Sequence, residues 1–225
     1  MMLQQKNIKV FVYFCLFFLL GTISNKNLNK FEIPKINDIK ITGLSDKDNS
    51  DLLKNFDYLL IQNLLTLDKK RIEKIISSNN LVEKYEIFKR YPSSLEIKIY
   101  KTKFLAYVKK DGENFLLGSN NKFILTKNII EKIPLIHGNF RSDDFKNLKN
   151  LIDETNFNFK EIKNLYFFPS GRWDIETYSG TLIKLPKNKL KENIELSEII
   201  LTDNRFKNIN LIDLRQENQI VMNEQ

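Results

Sequence analysis

The sequence predicts an α+β protein with a single apolar helix at its start, a small β-α-α-β-β module, and a β-rich module with two flanking helices. Three observations carry this expectation. Only one long apolar run exists, and it lies within the first 24 residues. Two-residue alternation of apolar and polar side chains recurs in many short segments further on. Helical spacing behind a capping residue interrupts those segments at only four places. An apolar content of 42% supplies core material, and 7 Gly and 5 Pro in 225 residues leave no room for long flexible linkers.

The apolar run is "NIKVFVYFCLFFLLGTISN", in which every residue from Val10 to Leu20 is apolar. A cleaved signal peptide wants an apolar stretch of roughly 7–15 residues and a small-residue cleavage site. A membrane span wants roughly 17–25 apolar residues. The run falls between the two. Thr22 and Ser24 make a poor cleavage site, and Lys9 can snorkel to headgroups, so an uncleaved anchor over 8–24 is the better fit. Residues 1–7 are then a short tail and 25–35 a polar spacer. Lys6 and Lys9 on one side and Lys26 and Lys30 on the other give no clear orientation. A short tail ahead of a long folded part favours export of the latter.

The first folded module is expected over 36–101. "INDIKITG" reads as a strand closed by Gly43. "SDKDNSDLLKNFDYLL" is a helix with Ser45 or Asp48 as its cap, and "LDKKRIEKIISSNN" a second one capped by Asp68, with Ile72, Ile75 and Ile76 on one face. "LVEKYEIFKR" and "SSLEIKIYK" are strands joined by "RYP"; in the latter Leu95, Ile97 and Ile99 alternate with Glu96, Lys98 and Tyr100.

The second module is expected over 102–225. "FLAYVKK", "ENFLLG" and "KFILT" form a meander turning at Asp111-Gly112 and "SNNK". "IPLIHG" is a short strand ending at Gly138. "SDDFKNLKNLIDETN" is a helix capped by Ser142, with Phe145, Leu148, Leu151 and Ile152 inward. "EIKNLYFFP", "RWDIETY" and "TLIKLP" are strands, the last two joined at Tyr178-Ser179-Gly180. "NKLKENIELSEIILTDNRF" is a helix, and "INLIDLR" and "NQIVMN" are the closing strands.

Catalytic and cofactor chemistry finds little support. The one histidine, His137, reads as a strand-end residue, and the one cysteine, Cys15, lies in the apolar run, so neither a nucleophilic triad nor a zinc site can be assembled. "DKDNSD" sets Asp46, Asp48 and Ser50 on alternate positions like a calcium loop, but Asp51 stands where such a loop needs glycine, and helix capping accounts for it better. There is no glycine-rich phosphate loop. Trp173 could stack on a sugar in an envelope enzyme, but a buried hairpin aromatic is the plainer reading. The net charge of +8 comes from lysines spread along the chain among acids, which reads as a solvated surface rather than a nucleic-acid interface. No cofactor, metal or nucleic-acid partner is expected.

The order of segments resembles the FtsQ/DivIB family of bacterial division proteins, with the first module similar to a POTRA domain. The residues that carry the resemblance are "IKITGLS" at 39–45, "NLLTLD" at 63–68, "RYPSSLEIKIYKTKFLAYV" at 90–108, "IPLIHG" at 133–138, "RWDIETYSGTLIKLP" at 172–186 and "IDLR" at 212–215. Arg90, Pro92, Leu95 and Ala106 match the family's Arg-x-Pro-x-x-Leu strand and its following alanine. Two departures stand out. Gly118 and Asn121 occupy a turn where the family has Asp then Gly, and Asn tolerates the left-handed backbone needed there. Gln216, Glu217 and Asn218 follow "IDLR" where the family often has aromatic residues. The lack of a long tail favours the FtsQ form over the DivIB form.

The resemblance implies a non-enzymatic scaffold of the divisome, required for septum formation. It would cross the inner membrane once, with its folded part in the periplasm at the division site. It also implies partners: the FtsB–FtsL pair, with septal synthase components beyond, and the lipid bilayer through the N-terminal helix. Family members bind by strand addition at the C-terminal edge, which points to Gln216, Asn218, Ile220, Val221 and Met222 in "QENQIVM". Asp213 and Arg215, two apart on a strand, are expected to share a face and pair with neighbouring strands; Trp173, Arg90 and Pro92 are expected to be structural. The competing class is an exported POTRA-type binding or chaperone-like protein with a cleaved N-terminus.

Overall fold

The computed structural model describes residues 2–23, 33–127, 132–206, 208–217 and 219–224. Helix α1 runs Met2–Ile23. It starts earlier than the apolar run because "MLQQK" holds no Gly or Pro to stop it. Its side chains over 8–21 are exposed. Among the described residues no helix is long and apolar enough to cross a membrane. The 22 residues of α1 rise about 33 Å, but the uninterrupted apolar run Val10–Leu20 within it rises only about 16 Å, against a hydrocarbon core of roughly 30 Å.

A three-stranded sheet follows, built from β1 (Asp38–Thr42), β2 (Val82–Arg90) and β3 (Ser94–Lys101) in the order β1-β3-β2. β1 runs parallel to β3, and β2 antiparallel. Leu95, Ile97 and Ile99 are all buried, as their period of two requires. They meet helices α2 (Asp46–Leu53) and α3 (Lys69–Ser78), whose Leu52, Ile72 and Ile76 complete one core. Ser45 caps α2 by accepting from the Asp48 amide at 3.2 Å, and Asp68 caps α3 by accepting from Arg71 at 3.2 Å. The single helix expected over 45–60 instead tightens to a 3-10 helix at Lys54–Ile61. A 3-10 helix aligns residues three apart, and Phe56 and Leu59 are both fully buried. Gly43 closes β1 at φ 109, where a Cβ would lie 1.8 Å from the Ile99 carbonyl oxygen.

The remaining strands form one mixed sheet: β4 (Phe104–Lys110), β5 (Glu113–Gly118), β6 (Phe123–Leu125), β7 (Leu135–His137), β8 (Ile162–Phe167), β9 (Trp173–Thr177), β10 (Leu182–Lys184), β11 (Ile209–Asp213) and β12 (Val221–Glu224). Their spatial order is β12-β11-β10-β9-β8-β7-β4-β5-β6. The pairs β4–β7, β7–β8 and β10–β11 are parallel, so each needs a crossover connection; β5 and β6 lie in the first, and helices make the other two. Helix α4 (Ser142–Asp153) joins β7 to β8, and α5 (Leu190–Thr202) joins β10 to β11. Phe145, Leu148 and Ile152 of α4 and Ile194 and Ile200 of α5 cover Val108, Ile136, Leu165, Ile175, Ile183 and Ile212 of the sheet. Trp173 belongs to this core at 3% exposure, with its ring 4.7 Å from Phe167 and 5.9 Å from Phe140.

Ser142 is the first residue of α4 rather than its cap. The cap is Arg141, because the Asp144 carboxylate accepts from the Arg141 amide at 2.9 Å and from its guanidinium. Asn121 adopts φ 65 in the tight turn after Gly118, as its tolerance of the left-handed region allows.

The two sheets meet at a polar junction. Thr102, buried where β3 gives way to β4, donates its amide to Leu81 O at 2.9 Å. The Glu83 carboxylate accepts from Thr102 Oγ1 at 3.0 Å and Ser119 Oγ at 2.7 Å. Asn120 Nδ2 donates to the Asn80 and Val82 carbonyls, and Asn80 Nδ2 donates to Phe123 O at 2.9 Å.

Candidate interaction surface at the C-terminal sheet edge

The last strand is an edge strand. β12 pairs antiparallel with β11 at Val221↔Asp213 and Met222↔Ile212, and no strand of the described residues lies beyond it. Its outer backbone groups are therefore available for another strand. Val221 is 49% exposed, Met222 38% and Ile220 42%. Ile220, expected inside the strand, sits just before it, and Gln216 lies in the preceding turn. Asn218 lies outside the described residues.

Asp213 and Arg215 do not form their close ion pair with neighbouring strands as expected. They pair with each other: Arg215 Nε donates to Asp213 Oδ1 at 2.8 Å and Nη2 to Oδ2 at 2.5 Å, and the Arg215 amide also donates to Oδ1. β11 ends at Asp213, but Leu214 is buried and still donates its amide to Lys184 O at 2.9 Å, so Asp213 and Arg215 keep the strand's alternation and share a face as expected, and the chain bends at Gln216. The guanidinium holds the Asp213 carboxyl below the usual carboxylate range, chiefly by hydrogen bonding. The pair fixes the turn that leads into the edge.

A groove of about 890 Å³ runs beside that turn, between the start of α5 and the sheet; Arg172, Lys187, Lys189, Arg215, Leu196 and Ile220 are among its walls. Its rim is basic, with Glu217 as an exposed partner of Lys189 at 3.4 Å. Arg172 lies 4.0 Å above the Phe168 ring and 3.4 Å from Asp174 Oδ1. Asp174 is buried, and burial pushes its carboxyl up against the opposing pull of Arg172 and Arg215.

The sheet face opposite the helices carries polar residues beside Leu135, Leu182 and Leu211. Register places His137, Tyr166, Asp174, Lys184 and Asp213 in one row, and Asn164 and Glu176 in the next. Glu176 accepts from Tyr166 Oη at 2.6 Å and Asn164 Nδ2 at 3.0 Å. His137 stacks on Tyr166 at 4.8 Å. This row was missed in the sequence, although Asn164, Tyr166 and Glu176 occupy alternate positions in their strands. The hydrogen bond to Glu176 pushes the Tyr166 hydroxyl up to about 12 and lowers the Glu176 carboxyl. The Tyr166 share of stability is therefore present below the ordinary phenol value of 10.0 and is lost as pH rises through about 12. The Glu176 share is present above 4.5 and is lost as pH falls through its lowered value. In an alkaline titration followed by tyrosinate absorbance, Tyr166→Phe is expected to remove the latest component. Glu176→Gln is expected to move it down. An unchanged curve for Glu176→Gln would contradict the assignment.

The remaining expected residues lie away from the β12 edge. Arg90 pairs with Glu96 at 3.0 Å, and Pro92 sits in the turn between β2 and β3. Trp173 is enclosed and presents no face to a sugar. Among the described residues no His, Cys, Asp and Glu cluster could hold a metal ion.

Two family models and two curated relatives match the chain. The family model "POTRA domain, FtsQ-type" matches residues 35–100, and "Cell division protein FtsQ/DivIB, C-terminal" matches 105–215. The cell division protein FtsQ of Rickettsia bellii is 22% identical over 189 residues, covering 82% of this chain and 70% of that protein. The cell division protein DivIB of Bacillus subtilis is 30% identical over 109 residues, covering 48% of this chain and 41% of the relative. The major extracytoplasmic domain of DivIB from Geobacillus stearothermophilus aligns with a TM-score of 0.36 at 15% identity, over 45% of this chain and 92% of that domain. The two family matches lie end to end in the expected order, one on each sheet, and the chain belongs to the FtsQ/DivIB family of cell division proteins.

Proposed function

We propose that the chain is a non-enzymatic scaffold of the division machinery, anchored by α1 and capturing the FtsB–FtsL pair by strand addition to β12. The single observation that supports this most is β12 itself, an edge strand with exposed Val221 and Met222 at the end of a nine-stranded sheet. Such an edge supplies main-chain hydrogen bonds for affinity and alternate side chains for specificity. The Asp213–Arg215 pair orients the edge, and the adjacent basic groove can take side chains that flank an added strand. In this reading 1–7 is a tail, 8–24 a single span, 25–35 a spacer, 36–101 the POTRA-like domain and 102–225 the partner-binding domain. The folded part lies on the far side of the inner membrane at the division site.

The test is capture of the full-length chain from detergent-solubilised membranes, together with depletion of the protein in growing cells. FtsB and FtsL are expected to co-purify, and depleted cells to grow as filaments without septa. Normal division after depletion sinks the proposal. The alternative, an exported POTRA-type binding protein, requires loss of roughly the first 25 residues; the mass of the protein in cells distinguishes it.

A further inference from the structure

The three-stranded sheet has two unlike ends. At one end, Val82 and Lys101 meet the second module through the polar junction. At the other end lie the starts of β1 and β3 and the end of β2: Asp38 pairs with Ser94, and Arg90 with Ser94. The chain arriving from α1 reaches this second end. Lys35 bridges Asn63, and the Ile36 amide donates to Gln62 O at 2.8 Å, so 33–36 and 61–65 are adjacent segments. Lys89 Nζ donates to Leu64 O at 2.6 Å and ties β2 to the same loop.

Five apolar side chains are exposed at this end, beside the exposed Lys35, Asn37, Asp38, Lys89 and Arg90. Ile61 is 74% exposed, Leu65 60% and Tyr91 65%, with Ile33 and Leu60 also open. The interior-facing residues beside them, Ile36, Leu59 and Leu64, are buried. Two of the exposed side chains, Ile61 and Leu65, thus flank a tightly packed stretch and were not needed for it. A grouped apolar patch of this kind marks an interaction site, whereas scattered exposed residues need no explanation.

We infer that this end of the first module is a membrane-contact surface, with Ile33, Leu60, Ile61, Leu65 and Tyr91 set into the headgroup region of the bilayer. The inference rests on the reading of α1 as the anchor. Its occupant follows from the chain path: only residues 24–32 separate α1 from Ile33. Ten residue steps reach at most roughly 33–36 Å even when fully extended. The patch is therefore always within that distance of the lipid that holds α1, at the attached end of the module. The polar junction is at the opposite end, about 26 Å further along the eight residues of β3. The side-chain chemistry agrees. Tyr91 is amphipathic and suits the interface, aliphatic tips suit the acyl boundary, and Lys35 and Lys89 stand at the margin where anionic headgroups lie. Such a contact would set the tilt of the first module and hence the direction in which β12 faces.

The experiment uses the full chain in vesicles of phosphatidylethanolamine and phosphatidylglycerol. Cys15 is replaced by Ser, and single cysteines at Ile61, Leu65 and, as a control, Tyr178 in the second module carry an environment-sensitive fluorophore. Labels at 61 and 65 are expected to shift to the blue and to be quenched several-fold more than the control by lipids brominated near the headgroup. Equal quenching at all three positions overturns the inference, and so does a blue shift without lipid quenching, which means that protein covers the patch. Alkaline carbonate extraction separates the two layers of the argument. If carbonate strips the chain from the vesicles, the anchor reading fails and the contact falls with it. If the chain stays bound and 61 and 65 remain in water, the anchor stands and the contact alone is wrong.

Discussion

A full-length chain carrying Val221→Asp and Met222→Asp is expected to lose about 100-fold or more in capture of the FtsB–FtsL pair while remaining folded. Both side chains are exposed in the isolated chain, so replacing them removes little from the core. Two surface substitutions cost about 1 kcal/mol together, which moves the thermal midpoint by roughly 2–4 °C. In a complex built by strand addition the same positions become central. Each buries apolar surface against the added strand, and each new carboxylate would be desolvated without a partner. Neighbouring strand residues point to opposite faces, so the two substitutions strike both sides of the added strand at once. Ile220→Pro gives an independent arm. Since Ile220 precedes the first paired residue of β12, proline there blocks extension of the edge without breaking the β11–β12 ladder. Capture measured by co-purification and by titration of immobilised chain decides the matter. Unchanged affinity in the folded double variant would remove the edge from the binding surface.

Trp173→Ala is expected to destabilise the second module by about 3–5 kcal/mol, the usual range for truncating an enclosed aromatic. For a module of this size that lowers the thermal midpoint by roughly 10–20 °C. The cause is geometric. Trp173 is enclosed by Phe140 and Phe167 at 5.9 and 4.7 Å and shares a core with Ile175 and Leu185. Truncation leaves a void that these rings cannot fill without leaving their own contacts. Trp173→Phe keeps a ring in place and is expected to give a smaller loss. A midpoint unchanged by Trp173→Ala, read by scanning calorimetry, would mean that the indole is peripheral and would reopen the sugar-stacking reading.

The elements of this fold are legible in the sequence wherever their cause is local. Leu95, Ile97 and Ile99 declare a half-buried strand by their period alone, and Asp68 declares a helix start because its side chain accepts from an amide three residues on. The left-handed turn at Asn121 is equally local. Where a neighbour distant in sequence intervenes, the reading departs from the structure. The helix after Ser45 tightens at Lys54 so that Phe56 and Leu59 can both reach the sheet. Asp213 and Arg215 share a face as their spacing predicts, but the ion pair they form is with each other and not with neighbouring strands.

The candidate surfaces divide in the same way. That "NQIVMN" after "IDLR" is a strand was visible, and the resemblance implied that it is an edge; the strand order gives the physical reason. β7 inserts between β4 and β8, and β11 joins β10 in parallel through α5, which leaves β12 outermost. The polar cluster of His137, Tyr166 and Glu176, the basic groove at Arg172 and the exposed apolar side chains at Ile61 and Leu65 each gather residues from distant segments. Periodicity and capping are properties of a few consecutive residues, and the amino-acid sequence by itself determined the module order, the helix starts and the inward faces of the strands. Strand order and register are chosen by packing between residues far apart in the chain, so only the tertiary structure decided which edge stays open, which charges meet and which apolar side chains are left uncovered.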